Sequence, residues 1–131
     1  MSQICNWDEF PIVDYLPGVE RQAVCGQRVM LTRIRYAKGV VVPEHKHDDV
    51  EQLMLIVQGR LWAKVGDEEK EVGPGTILVV PLGVMHAFRQ VGEEEVVFHE
   101  CFAPIRLEYL IGYKGPDPAL DMIRKQRPKV D

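Results

Sequence analysis

An all-β sandwich or barrel is the fold class this sequence predicts, and three observations predict it. Gly and Pro interrupt the chain at short intervals, at Pro17-Gly18, Gly26, Gly39, Gly59, Gly66, Gly73-Pro74-Gly75, Pro81-Leu82-Gly83 and Gly92. The segments between these breaks are too short for helices of ordinary length, and they are rich in the Val, Ile, Leu and aromatic residues that favour strands. Several segments also alternate. Met30, Thr32, Ile34 and Tyr36 share one face of residues 28–37. Val96, Phe98, Glu100 and Phe102 share one face of residues 94–103, with Val97, His99, Cys101 and Ala103 on the other.

Taken in order, residues 1–18 read as an extended arm anchored by Trp7, Phe10 and Tyr15. From Val19 to about Ile111 the pattern holds roughly nine or ten strand candidates. Gly66-Asp67 reads as a hairpin turn joining residues 60–65 to 69–72, and Gly73-Pro74-Gly75 breaks the chain before an apolar strand at 76–80. Beyond Gly112 the chain turns polar. Residues 117–125 predict one short helix, with Asp117 as its cap, Pro118 at its first position, and Leu120 and Ile123 as its contacts. Arg127 onward is expected to be loose. At 131 residues the chain is expected to form one domain: an arm over 1–18, a barrel over 19–111 and a tail over 112–131.

Composition removes several function classes. A hydrophobic fraction of 46% and a charged fraction of 27% are ordinary for a globular protein and exclude wholesale disorder. A net charge of -4 is the wrong sign for a nucleic-acid binder, which needs a basic stripe. Arg124, Lys125, Arg127 and Lys129 make only a small solvated basic end. The longest aliphatic stretch, Leu53 to Val57, is far short of the roughly 18 residues a membrane span needs. Three scattered cysteines, Cys5, Cys25 and Cys101, form neither a disulfide framework nor a CxxC zinc site. With no secretory leader evident, reduced thiols and a cytoplasmic location are expected.

His45-Lys46-His47 is the most informative segment. On an extended strand alternate residues point the same way, so two imidazoles project together, as metal ligands do. Two surface histidines in a turn after Pro43 would be the plainer account. A wider pattern argues for the first. Gly39 and His45-x-His47 are followed by Gln52 and Gly59, and then by Gly75 and Pro81-x-Gly83-x-x-His86. In this respect the sequence resembles the cupin superfamily, whose two barrel motifs occur in this order with a hairpin-sized gap. The resemblance implies a double-stranded β-helix, a jelly-roll-like barrel, with a divalent transition metal (Zn, Ni, Fe or Mn) at its centre. His45, His47 and His86 match the three histidine ligands.

The resemblance puts Gln52 at the fourth ligand position, where cupins usually carry Glu. Strand parity from His47 favours Glu51 instead if the chain runs straight, so Glu51 stays as the alternative. Three neutral imidazoles and an amide would leave the ion's charge uncompensated and make it a stronger Lewis acid.

Within the superfamily the arrangement is most similar to the KdgF-type cupins of pectin and alginate breakdown. Their pocket-lining acid-x-Phe-x-Pro-x-Arg segment is matched by Glu100-x-Phe102-x-Pro104-x-Arg106, with Glu in place of their Asp, and the tail after Gly112 extends beyond their usual end. The resemblance implies ring opening and tautomerisation of an unsaturated uronate or related small carboxylated substrate. Glu100 would move a proton, Arg106 would hold the carboxylate and Phe102 would shape the pocket. Read from the residues alone, an acid on an apolar strand face is either a proton-transfer group raised by burial or a partner in a structural ion pair, for instance with Arg106. His99 and Cys101 fall on the opposite face and are assigned to packing. An iron-dependent cupin dioxygenase and a non-catalytic small-ligand-binding cupin are the rival functions. A two-fold homodimer is expected, with the aromatic arm packing either on a partner's sheet or back on its own barrel.

Overall fold

The computed structural model describes residues 2–126, so the segment expected to be loose from Arg127 onward lies outside the described residues. Ten strands, β1 (Val13–Leu16), β2 (Val19–Cys25), β3 (Met30–Tyr36), β4 (Val41–His45), β5 (Glu51–Gln58), β6 (Arg60–Val65), β7 (Glu68–Val72), β8 (Ile77–Val80), β9 (His86–Val91) and β10 (Val96–Ala103), precede one helix, α1 (Pro118–Gln126). They form two antiparallel sheets, one in the order β1-β2-β3-β10-β5-β8 and one in the order β4-β9-β6-β7. This is the all-β architecture that the strand count predicts and the double-stranded β-helix that the cupin resemblance implies. Val13–Leu16, inside the segment read as an arm, is itself a strand paired to β2.

Alternation decides which side chains enter. On β5, Gln52, Met54 and Ile56 are buried while Glu51, Leu53, Leu55 and Val57 are exposed. On β3 the whole predicted face, Met30, Thr32, Ile34 and Tyr36, is buried, and on β10 so are Val96, Phe98, Glu100 and Phe102. Met30, Ile34, Met54, Ile56, Leu61 and Phe98 form the middle of the apolar core. Burying each such side chain stabilises the fold by about 1.5–3 kcal/mol.

The turns carry their own constraints. Gly59 joins β5 to β6 at a φ of 80°, and a Cβ there would collide with the carbonyl oxygen of Glu95 and stand 3.0 Å from the Cα of Val96. Both atoms are backbone and cannot yield cheaply. Gly59→Ala is therefore expected to destabilise the protein by about 2–5 kcal/mol, from left-handed strain plus overpacking. A urea melt with an unchanged slope and a lower midpoint would show it.

Candidate metal and acid–base site

The two sheets contribute different halves of a polar centre. His45 at the end of β4 and His86 at the start of β9 are directly opposed in register. His47 follows β4 in the connection to β5. That connection, residues 46–50, is not strand, so parity restarts at Glu51. This is why Gln52 is buried, with 2% exposure, while Glu51 points to solvent. The ring centroids lie 4.2 Å apart for His45–His86, 5.1 Å for His47–His86 and 5.3 Å for His45–His47. One potential ligand atom from each of the three lies within 4.8 Å of the others.

The imidazoles are set for coordination. Nδ1 of His45 faces the carbonyl of Pro43 and Nδ1 of His86 faces that of Val84, each at 2.9 Å. A carbonyl accepts, so Nδ1 carries the proton and Nε2 presents its lone pair. Burial pushes the pKa of His45 down to about 3, with the nearby His86 adding to the effect, and burial pushes that of His86 down to about 4. His47 is also driven down by burial and then by the charge of Arg106. All three are neutral imidazoles at ordinary pH, the state that metal ligation requires.

The glutamines make the sharpest contrast. Gln90 is buried and satisfied. Its oxygen accepts from the Gly39 amide, and its nitrogen donates to the carbonyls of Val91, Gly92 and Glu94. Gln52 is buried and half satisfied. Its Nε2 donates to Glu100 Oε2, and its Oε1 has no partner. Nε2 of His86 is likewise buried and unpartnered. A buried polar atom left unpaired costs about 1–3 kcal/mol. An imidazole nitrogen and an amide oxygen, together with the other two imidazoles of the histidine cluster, are donors that a borderline divalent transition metal accepts. The residues present therefore fit such an ion.

Glu100 lies beside this centre. Its Oε1 accepts from the Thr32 hydroxyl at 3.1 Å, across the β3–β10 ladder, and its Oε2 accepts from Gln52. Burial raises its pKa to about 7, against the opposing pull of the Arg106 charge and the two hydrogen bonds. Among the described residues Glu100 and Arg106 form no ion pair. Beyond the cis Ala103–Pro104 bond that follows β10, Arg106 is buried at 3% exposure. Its Nη2 donates to the Tyr15 hydroxyl at 3.1 Å, and its guanidinium lies over the Tyr109 ring at 3.9 Å and the Phe102 ring at 5.3 Å. Nε of Arg106 makes no hydrogen bond but forms an ion pair with the Glu108 carboxylate at 3.5 Å. Phe102 sits edge-on to His47 and Tyr109.

His45, His47, Gln52, Glu100, Arg106, Tyr15, Tyr109 and Ile123 line one cavity. The sequence singles out the first five but does not show what Tyr15, Tyr109 and Ile123 do there, or that Thr32 bonds to Glu100. Thr32 carries a signal, since it is polar on an otherwise apolar strand face. Tyr15 is visible in the sequence only as an anchor of the arm. His99 lies outside, stacked on Trp7 at 5.9 Å, and Gln22 Nε2 donates to the carbonyls of Trp7 and Phe10, so this part of the arm folds onto its own barrel.

Comparison with known proteins agrees with this fold. Residues 32–102, more than half of the chain, match the family model of the cupin domain. The chain is 25% identical over 104 residues to the pectin degradation protein KdgF of Dickeya dadantii, covering 79% of this chain and 94% of that protein. It is 29% identical over 94 residues to the polyketide synthase protein CurC of Streptomyces cyaneus. That match covers 70% of this chain and 54% of the relative, so the chain spans about half of that protein's length. Among solved structures, KdgF from Halomonas sp. superposes with a TM-score of 0.77 at 24% identity, covering 84% of this chain and all of that one. An RmlC-like cupin from Shewanella frigidimarina superposes with a TM-score of 0.76 at 22% identity, covering 84% of this chain and 97% of that one. No helix among the described residues is long and apolar enough to cross a membrane. With a double-stranded β-helix, the paired histidine motifs and a domain match over most of the barrel, the chain belongs to the cupin family.

Proposed function

We propose that this cupin is a metal-dependent enzyme that opens and tautomerises a 4,5-unsaturated uronate or a closely related small sugar acid. One observation carries the reading. Two buried lone-pair donors, His86 Nε2 and Gln52 Oε1, lack partners beside an acid whose pKa is raised to about 7. The similarity to a pectin degradation protein supports a sugar acid as the substrate class.

In this reading His45, His47, His86 and Gln52 would hold Zn, Ni, Fe or Mn. When bound, the ion supplies positive charge that polarises substrate oxygens. Arg106, a buried cation lining the cavity, meets the substrate carboxylate, its Nε exchanging the 3.5 Å contact with Glu108 for a hydrogen bond. Glu100 as carboxylate takes the proton of the anomeric hydroxyl. The bond from the anomeric carbon to the ring oxygen then breaks, giving an aldehyde and an enolate. Glu100 returns the proton to C4 of the enolate, which becomes a ketone. Atoms balance and no oxidant is consumed. A group titrating near neutrality serves both as the base and as the acid. Phe102 fills the wall between His47 and Tyr109 and keeps the reacting centre dry. The test is loss of the ultraviolet absorbance of the conjugated unsaturated carboxylate, followed with elemental analysis of the protein used. Oxygen uptake by iron-loaded protein would replace this reading with a dioxygenase. Binding of the sugar acid without turnover would replace it with a binding protein. Three free cysteines fit a reducing, cytoplasmic setting.

We further infer a homodimer built on the outer face of the six-stranded sheet. Leu53, Leu55 and Val57 of β5 and Ile77 and Val79 of β8 are 40–65% exposed on adjoining strands. Monomers rarely leave a contiguous aliphatic face of more than a few hundred Å² in water. A two-fold axis through this face pairs it with its own copy. The double variant Leu55→Asp, Val79→Asp is expected to elute as a monomer where the parent elutes as a dimer. A parent that elutes as a monomer removes the inference.

A further inference from the structure

Helix α1 stands outside both sheets, yet it supplies a wall of the candidate site. Ala119 and Ile123 are buried, Leu120 packs beside the core, and Ile123, at 1% exposure, lines the cavity shared by His45, His47, Gln52 and Glu100. The chain reaches α1 through Gly112-Tyr113-Lys114-Gly115-Pro116, with Gly112 at a φ of 80°. Few polar contacts fasten the helix. The Tyr15 hydroxyl donates to Asp117 Oδ2 at 3.1 Å, and Gln126 Nε2 donates to the Glu44 carbonyl at 2.5 Å. Tyr15 in turn accepts from Arg106. A chain of two hydrogen bonds thus links the guanidinium proposed to hold the substrate carboxylate to the residue that immediately precedes α1. Asp117 also caps the helix, its Oδ1 accepting from the Leu120 amide at 3.0 Å.

The cavity is too small for the substrate class as it stands. Its volume is about 30 Å³, room for one or two waters, against the roughly 300 Å³ at the lower end of ligand pockets. A sugar acid cannot enter unless a wall moves. The strands are pinned by ladders of backbone hydrogen bonds. A nine-residue helix has no such ladder, and it is shorter than the roughly 12–15 residues at which an isolated helix becomes even marginally stable. Of the walls, α1 moves at the lowest cost.

We infer that α1 is a hinged cover of the site. It swings on residues 112–116 to admit a ligand and closes with Ile123 over the centre, and the Arg106–Tyr15–Asp117 chain is its latch. A carboxylate docking on Arg106 competes with Tyr15 and so couples occupancy to the position of the helix. In the closed state Ile123 presents an apolar ceiling that limits how far a substrate extends toward α1. The inference rests on the reading of the cavity as a small-molecule site.

Two measurements on the full-length protein test it. In native-state hydrogen exchange, α1 amides are expected to exchange at least about tenfold faster than those of β5 and β10, since local opening costs less than global unfolding. In stopped-flow loading of metal-free protein with Co²⁺, followed by its visible absorbance, Tyr15→Phe is expected to raise the loading rate about three- to tenfold, the worth of one or two hydrogen bonds. Ile123→Ala is expected to raise it at least as much. Neither variant removes a proposed metal ligand, so the equilibrium Co²⁺ affinity is expected to hold within about twofold. Exchange of α1 only in step with β10, or loading rates within twofold of the parent in both variants, would overturn the cover. If Co²⁺ does not bind at all, the metal reading fails, and the exchange experiment on the parent protein still decides whether α1 opens.

Discussion

Glu100→Gln is expected to lower turnover of an unsaturated uronate by about 10²–10⁴-fold, the usual worth of a positioned acid–base group, while metal content per chain stays unchanged. The geometry explains why the two readouts separate. Thr32 and Gln52 both donate to the Glu100 carboxylate. A Gln side chain can still accept from Gln52 through its oxygen and turn its amide toward the Thr32 hydroxyl, which can accept. The Gln52 amide then keeps its orientation and its free oxygen. Glu100→Ala removes that acceptor, and its metal affinity is expected to fall by about 10–100-fold as well, as when an outer-shell partner is lost. Initial rates paired with elemental analysis of both variants check this. Full activity in the Gln variant would take Glu100 out of the mechanism.

The same substitution carries a stability signature. The pKa of Glu100 is raised by burial from 4.5 to about 7. The folded protein thus holds a proton that the unfolded chain has released between those values, and the stabilisation from the neutral acid is lost as pH rises through about 7. Glu100→Gln stays neutral throughout. In metal-free melts the variant is therefore expected to gain stability relative to the parent as pH rises from 4.5 to about 8.

His86→Ala is expected to lower divalent-metal affinity by more than the roughly 10–100-fold that loss of an outer-shell partner costs. His86 is the most buried of the three histidines, at 1% exposure, and its Nε2 has no other partner. Calorimetric titration with Zn²⁺ reads the affinity. Melting reads the linked stability, which is about 4 kcal/mol when free metal exceeds its dissociation constant a thousandfold. The parent is expected to lose that increment on chelation, and His86→Ala is expected to lose no more than about 1.4 kcal/mol, what remains once affinity has fallen 100-fold. An equal metal-dependent shift in both proteins would mean that the ion sits elsewhere.

How legible is this site in the chain? The strand architecture is open to inspection because its signals are local. Gly and Pro set the turns, and period-two alternation sets the buried faces of β3 and β10. His45 and His47 are legible for the same reason. Gln52 is ambiguous because parity carries through a strand but not through the irregular residues 46–50, and a one-residue uncertainty there reverses the face. The pairing of Thr32 with Glu100 cannot be read at all. They are far apart in sequence, and only the antiparallel register of β3 on β10 brings the hydroxyl to the carboxylate.

The chain of residues thus specifies strands, turns, the inward faces and the identity of the polar groups placed on them, since each depends on neighbours within a few positions. Packing settles the rest: which way the Gln52 amide turns, that Glu100 bonds to Thr32 and Gln52 rather than to Arg106, and that α1 folds back so that Ile123 closes the cavity. Those outcomes depend on desolvation and on contacts between distant segments, quantities that come into being when two sheets and a helix enclose a common space.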